Sequence, residues 1–301
     1  MTGLSMDVPE SFLQPEERSG YYVDGKMKEV WAVEIDILHQ FAEVCSRHHL
    51  QWFALGGTLL GAIRHHGFIP WDNDIDVIMP REDYDRLLQI GPEEFEFPYF
   101  FQSPLTENRF WRTHVQIRNS LTTGSTRNDI TKNINRGIFI DVMVLDEVPE
   151  TLQGRNRHRK KIRRNRWIGF VDRQRYNPRW YRSCAGKIIS AVLGDRCYKA
   201  MFRRVNRVCA GYRGSGTRKA AHTTLSYKES RVWEKEDYAG SVPWDFEYTQ
   251  VNVPTGYDRI LRTMFGEDYM EIPTVYPHNA HGSLILDTHT PYDQYFRKQN
   301  G

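Results

Sequence analysis

Hydrophobic and polar positions in the first half of the chain follow two periods, each typical of one kind of element. From Lys26 to His49, apolar residues recur at helical spacing, which predicts an amphipathic helix. The apolar run Trp52–Leu55 predicts a short buried strand. After two glycines, Thr58–Arg64 is expected to form a short helix or turn. A further helix is predicted over Arg81–Ile90, since acidic residues occupy its first turn.

Two later segments predict further strands. Residues Thr113–Arg118 alternate, so Val115 and Ile117 are expected to face inward. Their polar neighbours are expected to face outward: His114, Gln116 and Arg118. Residues 137–146 (GIFIDVMVLD) form a strongly apolar run with Asp141 as a charge in its interior. An unpaired carboxylate there would be costly, so Asp141 is expected to have a partner.

Three aspartates precede an apolar run at alternate positions: Asp72, Asp74 and Asp76. If this segment is extended, the three carboxylates share one face, while Ile75, Val77 and Met79 point into the core. Three anions on one face repel each other unless a cation lies between them. Mg²⁺ prefers oxygen ligands of this kind, so the segment predicts a metal site, to which Asp141 would contribute.

Composition is that of a soluble globular protein, with 40% hydrophobic and 26% charged residues in 301. The length suits one large domain or two modest ones. Neither a signal peptide nor a membrane-spanning segment is predicted. Four cysteines lack CxxC spacing, which argues against a zinc ribbon or redox motif and favours a cytoplasmic protein: Cys45, Cys184, Cys197 and Cys209.

The formal net charge of +3 conceals a basic middle, since residues 150–220 hold 21 Lys and Arg against three acids. Such an asymmetry indicates an anionic partner. Three uses stay open: solvated helices, polyanion binding, or contact of residues 155–207 with an anionic membrane surface. Interleaved aromatic residues would suit nucleic acid, but no RRM, KH or helix-turn-helix pattern accompanies them. A nucleic-acid partner is therefore not expected.

The order of strand, Gly-Gly turn, Asp-x-Asp and later Asp resembles the nucleotidyltransferase fold. The segments GGTLLGAIRH, GFIPWD and DID are similar to the signature of the LicD family, and residues 26–146 and 250–271 carry the resemblance. It implies an α+β fold with a mixed sheet flanked by helices and a basic, largely helical insertion.

The expected organisation is a nucleotidyltransferase-like catalytic core at 26–150 and a basic helical segment at 151–220. A C-terminal part, 221–301, is expected to pack back on the core in one compact unit.

The resemblance also implies a chemistry, because LicD relatives transfer phosphocholine or another phospho-alcohol from a CDP-linked donor to a sugar of a surface glycan. It gives catalytic and metal-binding roles to Asp74, Asp76 and Asp141, with Mg²⁺ as the ion and Mn²⁺ as a substitute. Residues expected to bind donor phosphates are Gly56, Gly57, Thr58 and Arg64. Further candidates are Asp72, His65 and Arg118. Two departures concern the phosphate contacts: His66 and Gln116 stand where lysine is common.

The expected partners are a CDP-linked alcohol and a glycan or lipid-linked saccharide, such as lipopolysaccharide or a teichoic-acid-like polymer. The expected location is the cytoplasm, with peripheral contact at the inner membrane face. One alternative is a nucleotidyltransferase that joins an NTP to a small hydroxyl acceptor. Another is a non-catalytic glycan- or membrane-binding protein on the same scaffold. The sequence leaves open the donor alcohol (choline, ribitol or glycerol) and the acceptor sugar.

Overall fold

The computed structural model describes residues 3–108, 110–126, 129, 133–166, 180–224, 227–276 and 285–300. The helices are α1 (Gly25–Arg47), α2 (Gly56–His65), α3 (Arg81–Glu94), α4 (Leu152–Asn165), α5 (Trp180–Cys209), α6 (Tyr257–Phe265) and α7 (Tyr292–Asn300). The strands are β1 (Glu16–Arg18), β2 (Tyr21–Val23), β3 (Phe53–Ala54), β4 (Asp76–Pro80), β5 (Tyr99–Gln102), β6 (Val115–Asn119), β7 (Thr123–Ser125), β8 (Ile138–Glu147), β9 (Lys219–His222), β10 (Val232–Glu234), β11 (Ser241–Phe246), β12 (Thr249–Pro254) and β13 (Ile285–Asp287). This mixture of helices with a mixed sheet confirms the predicted α+β class.

Strand β8 organises the main sheet. One edge of β8 pairs in parallel with β4, and the other edge pairs antiparallel with β6 and then with β9. Strands β3, β5 and β10 extend the sheet beyond β4, β6 and β9. In the parallel pair, Asp76 is the register partner of Asp141. Neighbouring strands lie about 4.8 Å apart. Two aspartates that are 65 positions apart along the chain are thereby brought side by side.

Several predicted elements are confirmed. Helix α1 covers most of the predicted span from Lys26 to His49, β3 lies within the predicted strand, and α3 extends the predicted helix to Glu94. The region after the two glycines is a full helix, α2, which begins at Gly56. Three side chains are buried as predicted: Ile75, Val77 and Met79. Regular strand structure starts only at Asp76, however, and residues 72–75 have irregular backbone.

The outward orientation predicted for the polar residues of β6 is wrong. His114, Gln116 and Arg118 are all buried. Their polar groups bond to each other, to nearby backbone and to Asp141 instead of to water. The alternation rule assumes that one face of a strand is solvated, and in β6 both faces are buried. The partner that the sequence required for Asp141 comes from this face.

The hairpin of β11 and β12 holds the loop that precedes the aspartates. Glu247, at the tip of the hairpin, accepts hydrogen bonds from both terminal nitrogens of Arg18 at 2.6 and 3.0 Å. It also accepts one from the backbone N–H of Phe68 at 2.9 Å. A Cβ on Gly67 would lie 2.1 Å from a Glu247 oxygen, so only glycine permits this approach.

The basic segment is largely helical where it is described, in α4 and α5, and its last residues, Lys219 and Ala220, begin β9. Residues 167–179, between α4 and α5 in the sequence, lie outside the described residues. They belong to the predicted membrane contact at 155–207. Within α5 the backbone leaves the helical region at Gly194, where φ is 61°. Of the helices that the structure describes, none has the length and apolarity to cross a bilayer.

Candidate functional site

Backbone hydrogen bonds fix the ends of the two strands that carry Asp76 and Asp141. The N–H of Asp76 donates to Oγ1 of Thr58 at 2.9 Å, and the N–H of Leu55 donates to the Asp76 carbonyl at 3.0 Å. On the neighbouring strand, the N–H of Asp141 donates to the Ile75 carbonyl at 3.0 Å. Thr58, predicted as a phosphate ligand, therefore joins α2 to the acidic strand.

Glycine is required at the start of α2 for two separate reasons. Gly56 has a φ of +60°, a conformation that L side chains rarely adopt. A Cβ on Gly57 would lie 2.3 Å from Oδ2 of Asp72. The N-cap residue, Leu55, supplies no side-chain hydrogen bond to the first turn. The helix therefore begins beside the aspartates without a side-chain cap, and such amides favour anions.

The carboxylate of Asp141 is held by Gln116 of β6 and by His114, the residue that precedes the strand. Nε2 of Gln116 donates to Oδ1 at 2.7 Å, and Nε2 of His114 lies 3.0 Å from the same oxygen. Arg118 donates to Oε1 of Gln116 at 2.6 Å, which fixes the orientation of the amide. Burial opposes ionisation of Asp141, but His114 together with Arg112 and Gln116 holds its pKa well below the usual range. Asp141 is therefore an anion in a fixed orientation.

The other carboxylates of the cluster experience the opposite effect. Burial, reinforced by the charges of Asp76 and Asp72, raises the pKa of Asp74 well above its usual range. Burial and the charge of Asp141 do the same for Asp76. Glu34 of α1 also belongs to this group, because burial and the charges of Asp72 and Asp76 raise its pKa. The carboxylates of the cluster thus repel one another.

Two cavities meet at these carboxylates. The first, called here the glycine-side cavity, has a volume of about 170 Å³. It is lined by Leu55, Gly56, Asp74, Asp76, Asp141, Met143, His222, Arg231 and Met264. The second, called the Glu34 cavity, has a volume of about 120 Å³. It is lined by Glu34, Asn73, Asp74, Arg112, Gly124, Thr126, Ile138, Phe139, Asp141 and Leu286. Asp74 and Asp141 line both cavities.

The basic residues of the glycine-side cavity are Arg231 and His222. The guanidinium of Arg231 partly offsets the rise in the pKa of Asp76. Burial and the charge of Arg231 lower the pKa of His222 to about 3, so this imidazole is neutral at physiological pH. Its Nε2 lies 2.8 Å from Oγ1 of Thr224. Its Nδ1 is buried and has no hydrogen-bond partner among the described residues.

Three predicted site residues lie elsewhere. Arg64, at the far end of α2 from Gly56, donates to the carbonyls of Tyr269 and Glu271 at 2.9 and 3.0 Å. The adjacent His65 accepts from Nε of Arg64, and burial lowers its pKa to about 4. Arg118 is buried behind Gln116, and burial lowers its pKa to about 10. None of the three lines either cavity.

Conversely, several residues of the site were not predicted from the sequence. Glu34 interrupts an apolar stretch of α1, a signal that could have identified it as more than scaffold. His222 and Arg231 follow the basic middle of the chain, and no local pattern distinguishes them. Alternation along an extended segment predicts that Asn73 faces away from Asp72 and Asp74, but it lines the Glu34 cavity together with Asp74. That prediction assumed a regular strand, which this segment does not form.

The donor set fits a hard divalent cation in its chemistry. Asp74, Asp76 and Asp141 supply carboxylate oxygens, and a cation between them would relieve the repulsion that raises the pKa of Asp74 and Asp76. Within the part of the chain that the structure describes, no three His, Cys, Asp or Glu side chains already converge as metal ligands. These carboxylates would therefore have to turn toward an ion.

A larger cavity, of about 800 Å³, lies at the other end of β4 and β8. Its charged side chains are largely engaged with each other: Arg81 donates to Asp146 at 2.6 and 2.7 Å, and Arg213 pairs with Glu82 at 2.6 Å. Paired charges of this kind stabilise the fold and offer few open ligands. We therefore assign the chemistry to the smaller cavities, where the carboxylates repel each other.

The sheet, the clustered carboxylates and the glycine-started helix define an α+β protein with an acidic site beside a helix N-terminus. Residues 49–143 match a family model described as LicD/FKTN/FKRP, nucleotidyltransferase domain. Over these residues the match confirms the LicD resemblance that the sequence motifs indicated.

Similarity to individual proteins extends beyond that domain. The chain is 27% identical to lipopolysaccharide cholinephosphotransferase LicD of Haemophilus influenzae over 86% of its own length and 98% of that protein. It is also 27% identical to an uncharacterized protein of Rickettsia prowazekii over 46% of the chain and 47% of the relative. A further uncharacterized protein, from Rickettsia typhi, is 37% identical over 19% of the chain and 18% of the relative.

Proposed function

We propose that this protein is a Mg²⁺-dependent phosphotransferase that moves phosphocholine, or a related phospho-alcohol, from a CDP-linked donor to a hydroxyl of a cell-surface glycan or lipid-linked saccharide. The observation that carries the proposal is the glycine-side cavity, where Asp74, Asp76 and Asp141 adjoin the uncapped start of α2. We infer further that the sheet around β8 is a nucleotidyltransferase-like core.

The cavity suits a diphosphate because it combines anion-binding groups with ligands for a cation. Backbone amides at Gly56 and Gly57 would donate to phosphate oxygens, and Arg231 would supply the positive charge. We assign Arg231 this role in place of Arg64, whose guanidinium is bonded to backbone carbonyls. Thr58 would act by positioning Asp76.

Asp74, Asp76 and Asp141 would hold the divalent cation, with Mn²⁺ able to replace Mg²⁺. When bound there, the ion would neutralise charge on the diphosphate and on the leaving nucleotide. Asp72 lies against Gly57 and would add negative charge at the edge of the site. His114 and Gln116 would keep Asp141 oriented while Asp74 and Asp76 turn toward the ion.

The proposed transfer needs only the acceptor and the CDP-linked donor as reactants. The acceptor hydroxyl oxygen attacks the phosphorus next to the alcohol, and a new O–P bond forms. The P–O bond to the cytidylate breaks, and CMP leaves with the electron pair. The hydroxyl proton passes to a carboxylate of the site, for which we propose Asp141, held in a fixed orientation by His114 and Gln116.

The Haemophilus influenzae relative supports both the transferred group and the acceptor of this reaction. Its name describes transfer of cholinephosphate to lipopolysaccharide. We extend this chemistry to the present chain. We place the protein in the cytoplasm, where residues 155–207 would contact the anionic inner face of the membrane and bring the enzyme to a lipid-linked acceptor.

The experiment that tests the function is incubation with CDP-choline, Mg²⁺ and candidate lipid-linked glycans, followed by chromatography of the nucleotide. The expected result is acceptor-dependent release of CMP, abolished by Asp76→Asn. Release of pyrophosphate from an NTP, without CMP release from CDP-choline, would instead show a nucleotidyltransferase. If neither product forms and Asp76→Asn changes no binding property, a non-catalytic glycan-binding protein would replace the proposal.

A further inference from the structure

Two residues that line the Glu34 cavity each carry a buried polar atom that no described residue satisfies. Glu34 is 2% exposed, and its Oε2 has no hydrogen-bond partner. Arg112 presents a buried Nε that is likewise unpartnered. Nη2 of Arg112 donates to Asp129 at 3.0 Å, which holds the guanidinium in place. Both residues line the same cavity. Buried polar atoms are normally satisfied, so an unpaired acceptor and an unpaired donor on residues that line one cavity point to a ligand that hydrogen-bonds to both.

The two atoms restrict the chemistry of that ligand. A phosphate would find a donor at Arg112 but would be repelled by the carboxylates of Glu34, Asp74 and Asp141. An ammonium group would satisfy Glu34 but would leave Nε of Arg112 unpaired. A hydroxyl both donates and accepts, so adjacent hydroxyls on one carbon chain can satisfy both atoms. Thr126 and Asn73 add further polar partners along the wall.

The volume agrees with a ligand of that size. The cavity of about 120 Å³ is several times the roughly 10–15 Å³ that one water needs. It therefore admits a fragment that bears two hydroxyls, such as one edge of a sugar ring.

We propose that the Glu34 cavity is a binding subsite for a pair of adjacent hydroxyl groups, with Glu34 and Arg112 as its recognition residues. Two sources share this chemistry: the acceptor saccharide and the ribose of the nucleotide donor. Only the assignment to one of these sources rests on the proposed transferase function, whereas hydroxyl binding itself does not. Because Asp141 lines the cavity, a saccharide held there would place its hydroxyls beside the carboxylate proposed to receive the proton.

Binding measurements test the subsite without requiring transfer. The probes are methyl α-glucopyranoside, CDP and the 2′,3′-dideoxy analogue of CDP, each titrated by ligand-observed NMR or calorimetry. The variants are Glu34→Ala, Glu34→Gln and Arg112→Lys; the last removes Nε while keeping a positive charge for Asp129. Glu43→Gln is the matched control, since Glu43 lies on α1 with a half-exposed side chain that pairs with His39.

Loss of one partner of a buried hydrogen bond predicts about tenfold weaker binding of the probe that occupies the subsite. If the glucoside weakens in Glu34→Ala and Arg112→Lys, the subsite binds the acceptor. If CDP weakens while its dideoxy analogue does not, the subsite binds the donor ribose. Both outcomes support the proposal. It is overturned if every probe binds the folded variants as it binds the wild type and Glu43→Gln, whether or not CMP is released in the transfer assay.

Discussion

Among single residues, Asp141 shows how neighbouring side chains give buried carboxylates of one cluster different pKa values. Burial opposes the ionisation of Asp141 and of its register partner, Asp76, yet their pKa values move in opposite directions. The difference arises from β6, because His114 and Gln116 contact Asp141 and stabilise its anion. The arrangement therefore places an ionised carboxylate, Asp141, beside Asp76, whose ionisation is opposed by its surroundings.

A substitution of Gln116 tests whether its hydrogen bond holds Asp141 in place. In Gln116→Leu the amide that donates to Asp141 is lost, and Arg118 loses an acceptor in a fully buried position. We expect the free energy of unfolding to fall by about 1–3 kcal/mol, the usual cost of an unsatisfied buried group. We also expect slower transfer, because Asp141 is no longer held. Chemical denaturation and CMP release measure the two effects.

Gln153→Leu is the matched control, since the amide of Gln153 accepts a hydrogen bond from Arg157 on the exposed face of α4. It should leave both quantities unchanged. Wild-type stability and turnover in Gln116→Leu would show that Asp141 does not depend on this neighbour.

At the level of elements, the sequence predicted those whose pattern is local. The apolar period of α1, the run that becomes β8 and the buried positions 75, 77 and 79 all follow from spacing along the chain. The sequence predicted that Asp76 and Asp141 share a metal ion, but it did not predict that their strands pair, because strand register depends on tertiary structure. The buried polar face of β6 was misjudged for the same reason: alternation gives the two faces of a strand but not what covers each face.

The hairpin of β11 and β12 is predicted to hold the loop that precedes Asp72, and a substitution of Glu247 tests this role. Glu247→Gln replaces a carboxylate that is 6% exposed and that binds both Arg18 and the Phe68 N–H. Because the Arg18 side chain is itself 19% exposed, we expect a loss of about 2 kcal/mol in unfolding free energy, below the cost of a fully buried pair. The loop before Asp72 would loosen, so CDP binding should weaken as well.

Thermal or chemical unfolding and CDP titration provide the measurements. Glu267→Gln serves for comparison, since Glu267 is 83% exposed and pairs with Arg262 at the surface; surface pairs contribute little. Equal behaviour of the two variants would show that the hairpin does not hold the loop.

For the whole molecule, the uneven distribution of charge is the main property. Helix α4 exposes Lys160, Lys161 and Arg164 in a segment with few acids. We predict that the protein sediments with vesicles of anionic lipid at low salt and is released as salt rises, because screening weakens attraction beyond a Debye length of about 10 Å at 0.1 M. The triple variant Lys160→Glu, Lys161→Glu and Arg164→Glu should not sediment.

A triple charge reversal outside this segment, at Arg47, Arg259 and Arg262, controls for net charge and should still sediment. Absence of the wild type from the vesicle pellet at low salt would remove the membrane role. It would leave polyanion binding or plain solvation for the basic segment.

The central claim is that Asp74, Asp76 and Asp141 hold a divalent cation against the donor diphosphate. Calorimetric titration of CDP, with Mg²⁺ and then with EDTA, tests it most directly. The predicted result is affinity at least about tenfold higher with Mg²⁺, restored by Mn²⁺ and lost in Asp76→Asn. CDP binding of equal strength in EDTA, or unchanged in Asp76→Asn, would contradict the claim.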